Sequence, residues 1–178
     1  MLRLTKLDAA ERHLSTAIRL FFHGGDAVSA HTLGFAAHEV LRRLMEHRGL
    51  GESMVKNSKL VPPAQMPRFC AILNSPANFF KHAERDPAAV LDFNPEDTVI
   101  WLLDAAWMHW RLANEFSSAS EVLFIWFLAE DARQVAPEHF PDVFRKHNAI
   151  VCRLRELPTA SERKQASLCL LRAADGAR

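Results

Sequence analysis

The chain has 178 residues, with 22 Lys and Arg against 21 Asp and Glu, 49% hydrophobic residues and 9% aromatic ones. That length predicts a single domain over 1–178. The even charge excludes a basic nucleic-acid arm or an acidic disordered tail as a description of the whole chain. No apolar run approaches the roughly 18 residues needed to cross a bilayer.

The opening residues, Met1-Leu2-Arg3-Leu4-Thr5-Lys6, lack the apolar stretch of a secretory signal. Cys70, Cys152 and Cys169 are an odd number with no CxxC pair, so they read as reduced thiols in a cytoplasmic chain. Strand signals are nearly absent: Tyr is missing, and no Asn-Gly or Asp-Gly turn joins alternating segments. An all-α bundle of six or seven helices is the expectation.

Leu7, Ala10, Leu14, Ala17, Ile18 and Phe21 line one face of a first helix, and Gly24-Gly25 stops it. Asp26 then caps a second helix carrying Val28, Leu33, Ala36, Ala37, Val40, Leu41, Leu44 and Met45, up to Gly49. These two make an antiparallel N-terminal hairpin. Residues 49–65, with two glycines, Asn57, Ser58, Pro62 and Pro63, read as the longest loop. A short helix follows from Pro67, is broken at Pro76, and restarts over Ala77–Asp86 before Pro87.

Asn94-Pro95-Glu96-Asp97 is a strong helix start, leading into Val99, Leu103, Ala106, Trp107 and Trp110. Ser120 to Ala136 packs seven consecutive apolar residues, Val122 to Leu128, and its flanks favour a buried helix over a strand. Pro141 and Ser161 open two last helices. Charge runs +2 over 1–49, −5 over 50–141 and +4 over 142–178. The basic tail suits either an acidic partner or, more commonly, a solvated helix face.

The densest polar group is Asn78, Lys81, His82, Glu84, Arg85 and Asp86 beside Phe79 and Phe80. On a helix Asn78 and His82 share a face. A histidine titrates near neutrality and serves as general acid or base, while Lys81 or Arg85 can steady phosphate charge. The bland alternative is that the two phenylalanines anchor the helix and the rest faces water. His31, His38, Glu39 and Arg42 line the second helix. His31 and His38 are two turns, about 10.5 Å, apart, too far to share a zinc ion with ligand bonds of about 2.0–2.1 Å. No metal and no cofactor is therefore expected. His38 and His82 converge on a polar cleft if their helices pack. His109 reads as core, and Cys70, in an apolar stretch, as an inert buried thiol.

The helix hairpin followed by Asn78-Phe79-Phe80-Lys81-His82 resembles the HEPN superfamily, over about residues 5–116, with 117–178 as a helical extension. Its His31-Thr32-Leu33 and Asn-Phe-Phe-Lys-His stretches look like those of a bacterial branch of these proteins. The resemblance implies a small helical, often dimeric domain of toxin–antitoxin or defence systems. Many such domains are metal-independent ribonucleases, and others bind nucleotides or are purely structural. The family signature is an Arg, four to six residues, then a His. His82 matches the histidine and Asn78 the polar residue after the arginine, but the arginine positions hold Ser75, Pro76 and Ala77. The expected function is a non-catalytic binding module and homodimer, with a polar cleft of His38, Glu39, Asn78, Lys81 and His82, and with His31 and Arg85 as further binding residues. RNA or a nucleotide is the candidate ligand. The alternative is a metal-independent endoribonuclease using His82, Asn78 and Lys81.

Overall fold

The computed structural model describes residues 1–56, 61–130 and 141–176. The first helix, α1 (Lys6–His23), begins with a reciprocal cap in which Thr5 Oγ1 accepts from the Asp8 amide and Asp8 accepts from the Thr5 amide. It ends at Gly24, whose φ of 63° is the left-handed conformation that glycine adopts without a Cβ penalty. Asp26 starts α2 (Ala27–Arg48) by accepting from Ser29 N at 2.7 Å, and Gly49 closes it. The expected hairpin is present, with Ala10, Leu14, Ala17 and Ile18 of α1 sharing one core with Ala37, Leu41 and Met45 of α2.

A short 3₁₀ turn (Pro63–Gln65) leads into α3 (Met66–Phe79). A second 3₁₀ turn (Pro95–Asp97), capped by Asn94, opens α4 (Thr98–Ala113) as its sequence indicates. There follow α5 (Ser118–Glu130), α6 (Pro141–Arg155) and α7 (Ala160–Gly176). Seven α-helices and no strand are found among the described residues, which makes this an all-α bundle. No helix among them is long and apolar enough to cross a membrane.

The apolar run Val122–Leu128 is a helix, as its flanks indicate. It is enclosed by α6 and α7 on one side and by α1 and α4 on the other, so its apolar residues find cover all round. Residues 131–136, expected to continue it, lie outside the described residues. Arg155 donates twice to the Leu128 carbonyl (3.2 and 2.7 Å), and Arg163 forks onto Glu130 (2.8 and 3.0 Å). Those guanidinium groups therefore fasten α6 and α7 to the last turn of α5. At the far end, Arg19 of α1 meets Asp175 of α7 at 3.1 and 2.5 Å.

Two expectations need correction. The helix after Pro67 passes straight through Pro76 and ends at Phe79, where a restart over 77–86 was predicted. The proline deletes one amide donor within the last turn, where few bonds remain to break. Beyond it the Lys81 and His82 amides share the Asn78 carbonyl (3.2 and 3.0 Å), and the chain continues in turns, with Arg85 N on His82 O and Ala89 N on Asp86 O. Of the 49–65 stretch expected as the longest loop, Asn57, Ser58 and the two residues after them lie outside the described residues, and Pro63–Gln65 is the 3₁₀ turn. Cys70 is half-buried, and Cys152 and Cys169 are exposed.

At Gly34 of α2 the neighbouring helices leave no room for a side chain: an added Cβ would stand 2.8 Å from Leu102 Cδ2 and 3.8 Å from Ala17 Cβ. Gly34→Val should destabilise the fold by about 1–3 kcal/mol through overpacking. In Gly34→Ala, the helix-propensity gain of about 1 kcal/mol offsets the shift of a flexible Leu102 methyl. Urea unfolding of the two variants checks this ordering.

Candidate functional site

Beside the main core lies a satellite cluster of Phe35, Val55, Ala77 and Trp101, with Leu73 and Ile100 packed on it. It joins α2, the chain after α2, α3 and α4, and it organises most of the residues singled out in the sequence. Phe35 sits 4.9 Å from Trp101 edge-on, and His38 is 4.7 Å from the same indole.

His38 is 0% exposed, and its Nε2 lies 2.8 Å from Asp104 Oδ2 of α4. The same Asp104 oxygen accepts from Ser53 Oγ at 2.5 Å and from Val55 N at 3.3 Å, while Oδ1 accepts from Met54 N at 3.1 Å. Burial pushes the Asp104 carboxyl up, but His38, Ser53 and the Met54 amide together outweigh it and hold the group below the ordinary carboxylate range. An ionised Asp104 fixes the proton of His38 on Nε2.

Ser53, His38 and Asp104 are the residue types of a hydrolase triad, but the geometry is wrong for one. Ser53 Oγ, 3.3 Å away, faces the same Nε2 that Asp104 uses. That nitrogen already carries a proton and cannot take one from the serine. The Ser53 hydroxyl is committed to Asp104, so this is a structural unit that ties the loop to α2 and α4. The other nitrogen, Nδ1, stands 3.5 Å from Glu39 Oε1 without a hydrogen bond.

Glu39 is held well below its usual range. Burial opposes this, but His38, Arg42 and Lys56 around the carboxylate prevail. Lys56 pairs with Glu39 and lays its ammonium over the Phe35 and Trp101 rings at 5.2 and 5.7 Å. Lys81 reaches the Phe35 ring as well, 4.8 Å from its centre. Two cations thus share one aromatic ring, and of the two only Lys56 has a carboxylate partner among the described residues.

His31, 1% exposed, has Nδ1 3.1 Å from Thr98 Oγ1, with the Phe80 and Phe93 rings edge-on at 5.8 and 5.1 Å. Its Nε2 has no partner, and burial drives its pKa down to about 4, so the ring is neutral at physiological pH. His31 and His38 thus turn to different partners on α4, and no group of three His, Cys, Asp or Glu among the described residues could hold a metal ion. His109 is buried with an unpartnered Nδ1, as its place between tryptophans suggests.

The structure therefore brings His31, His38, Glu39 and Lys81 around Phe35. Asn78, His82 and Arg85 stand apart, on the outer turns after α3. The His82 side chain is 37% exposed and pairs through Nδ1 with Glu84 at 3.0 Å, and none of its contacts among the described residues reaches His38. The polar cleft expected to join His38 and His82 is accordingly divided, because the helix that would have turned His82 inward ends three residues earlier. Asp104, Ser53, Thr98, Lys56, Phe35 and Trp101 were not anticipated from the sequence. Asp104 did carry a signal, as a lone acid within Trp101-Leu102-Leu103-Asp104-Ala105-Ala106-Trp107. Compared with known protein families, curated proteins and solved structures, the chain matches none.

Removing the carboxylate in Asp104→Ala leaves His38 and two loop amides without an acceptor and should cost about 3–5 kcal/mol by urea unfolding. The pH dependence has two parts. Between about 6.5 and about 4 the unfolded chain binds a proton that native His31 refuses, so stability falls by roughly 3 kcal/mol as pH drops through that window. Buried His109, also lowered, adds a slope of the same sign. Asp104 and Glu39, both lowered, contribute stability that is present above their unfolded values of about 4 and lost on further acidification. Unfolding midpoints measured across pH should lose most of the upper slope in His31→Gln and keep the acid limb.

Proposed function

We propose that this chain is a HEPN-like, non-catalytic binding module of the cytoplasm, which works as a homodimer and takes a nucleotide or RNA strand on the edge formed by Asn78, Phe79, Lys81 and His82. The observation that carries this reading is the separation of the two histidines. His38 is locked in a solvent-free network with Asp104, and His82 pairs with Glu84 at the surface. Cleaving a phosphodiester without a metal needs an acid and a base on opposite sides of one phosphate; among the described residues the titratable partner of His82 is Glu84, bonded directly to it rather than across a cleft.

The edge does offer what recognition of a charged, flat ligand requires. Lys81 is an exposed cation without a carboxylate partner among the described residues, its resting contact being the Phe35 ring. Phe79, 37% exposed, presents a ring to the solvent, and such rings stack bases of any sequence. Asn78 and Arg85 are exposed beside them. Self-association draws support from the apolar surface left uncovered: α3 buries only Ala77, and Ile72 is 62% exposed on the rim of a groove of about 470 Å³ with Val61, Pro62 and Phe69.

The test is incubation with mixed single-stranded RNA in EDTA, alongside fluorescence anisotropy with a labelled oligonucleotide. We expect intact RNA and salt-sensitive binding that Lys81→Gln weakens several-fold, with the salt slope falling by about one. Cleavage that His82→Ala abolishes would instead establish the endoribonuclease. Binding untouched by Lys81→Gln would remove the proposed edge.

A further inference from the structure

On α2, a groove of about 510 Å³ is lined by Glu39, Val40, Arg43, Leu44 and His47 together with Lys6 at the start of α1. Its floor is the half-buried pair Val40 and Leu44, which pack onto the main core. Its rim is basic, since Lys6, Arg43 and His47 stand exposed, while the one rim acid, Glu39, is already occupied by Lys56 and Arg42. Arg43 is 71% exposed and touches only Glu46.

The same chain carries the complementary shape. In the turns after α3, Asp86-Pro87-Ala88-Ala89-Val90-Leu91-Asp92 projects from the surface, with Val90 91% exposed. Asp86 and Asp92 flank that valine, both exposed, and neither carboxylate has a hydrogen bond or ion pair among the described residues. A lone apolar knob between two acids without side-chain partners matches an apolar floor rimmed by exposed bases, of which Arg43 would exchange its surface pair with Glu46 for the incoming acid.

We infer that the groove on α2 receives the 86–92 segment of a second copy of this chain, with Val90 on Val40 and Leu44, and Asp86 and Asp92 against Lys6 and Arg43. One such contact falls short of the roughly 1,200 Å² of a stable interface, so the pairing is reciprocal: each copy offers its groove and its knob about a two-fold axis. This rests on the homodimer of the proposed function and puts its contact on the α2 groove and the 86–92 segment instead of the α3 groove. It leaves the Lys81 edge of each copy outside the contact.

Analytical ultracentrifugation of the full chain from about 1 to 200 µM tests the inference. The expected result is a reversible monomer–dimer equilibrium in which Val90→Lys and Arg43→Glu each weaken dimerisation at least tenfold. Pairing Arg43→Glu with Asp92→Lys in one chain should restore part of it. All three positions are exposed, so thermal melts monitored by circular dichroism should stay within a few degrees of the parent, separating lost pairing from lost folding. A dimer indifferent to both single substitutions overturns the groove-and-knob contact while leaving the homodimer in place. A monomer at every concentration overturns both. A monomer that binds a labelled peptide of residues 86–92 overturns self-pairing and assigns the groove to another partner of that chemistry.

Discussion

The Asp104 carboxylate sets the arrangement of this molecule more than any other group. It lies on α4 with no solvent to satisfy it, and it gathers His38 from α2 together with the Ser53 hydroxyl and the Met54 and Val55 amides from the chain beyond α2. An ionised carboxylate buried without such donors would cost many kcal/mol or take up a proton. With four of them it tolerates burial and imposes a register. Apolar packing between α2 and α4 is nearly non-directional and permits small slides along the helix axes. A carboxylate that must meet one imidazole and two consecutive amides does not. The turn at Met54–Lys56 is fixed by the same bonds, completed by Lys56 N on Ser53 Oγ at 3.0 Å, and this positions the Lys56 side chain over Phe35 and Trp101.

The uneven charge along the chain has a largely internal explanation. The acidic middle and the basic tail meet each other: Arg163 takes Glu130, Lys146 takes Glu121, and Lys164 lies 3.5 Å from Glu96 while resting on the Phe21 ring at 3.8 Å. The solvent-exposed ones, Lys146–Glu121 and Lys164–Glu96, add about 0–1 kcal/mol each, while Arg163–Glu130 is half-buried. Arg155 acts where the backbone needs help, on the Leu128 carbonyl at the end of α5, whose last carbonyls have no helical donors of their own. Three of the tail's bases are thus matched within the chain.

What the sequence discloses follows from how local each signal is. The α1–α2 hairpin rests on glycine stops and an Asp cap within a few residues, so its ends are legible almost to the residue. The helical state of Val122–Leu128 is legible from its flanks alone. The break at Pro76 misleads because proline disrupts a helix interior, whereas here the helix has only three residues left to run. That small error carries a large consequence, since it moves His82 from an inward face to an outer turn. The partners of His31 and His38 are illegible for another reason. Thr98 and Asp104 are more than sixty positions away, and only the packing of α4 on α2 brings them within hydrogen-bond distance. A solitary acid among tryptophans announces that some partner must exist, without saying which.

This division between inner and outer groups bears on how the surface can act. Histidines at apolar positions are ready acids and bases in an open cleft, but here His31, His38 and His109 are all buried, the first two with partners on another helix and the third with an unpartnered Nδ1. The rings of His31 and His109 are held neutral by burial, within the fold and away from the surface. Phe35 is the joint between the two regions: one ring touches His38 and Trp101 on its inner side and receives Lys81 from outside. A ligand that draws the Lys81 ammonium off this ring gives up a cation–π contact of about 0.5–1 kcal/mol and leaves the Asp104 network intact. The protein can thus exchange an internal contact for an external one at its surface while the bonds that set its helix register stay as they are.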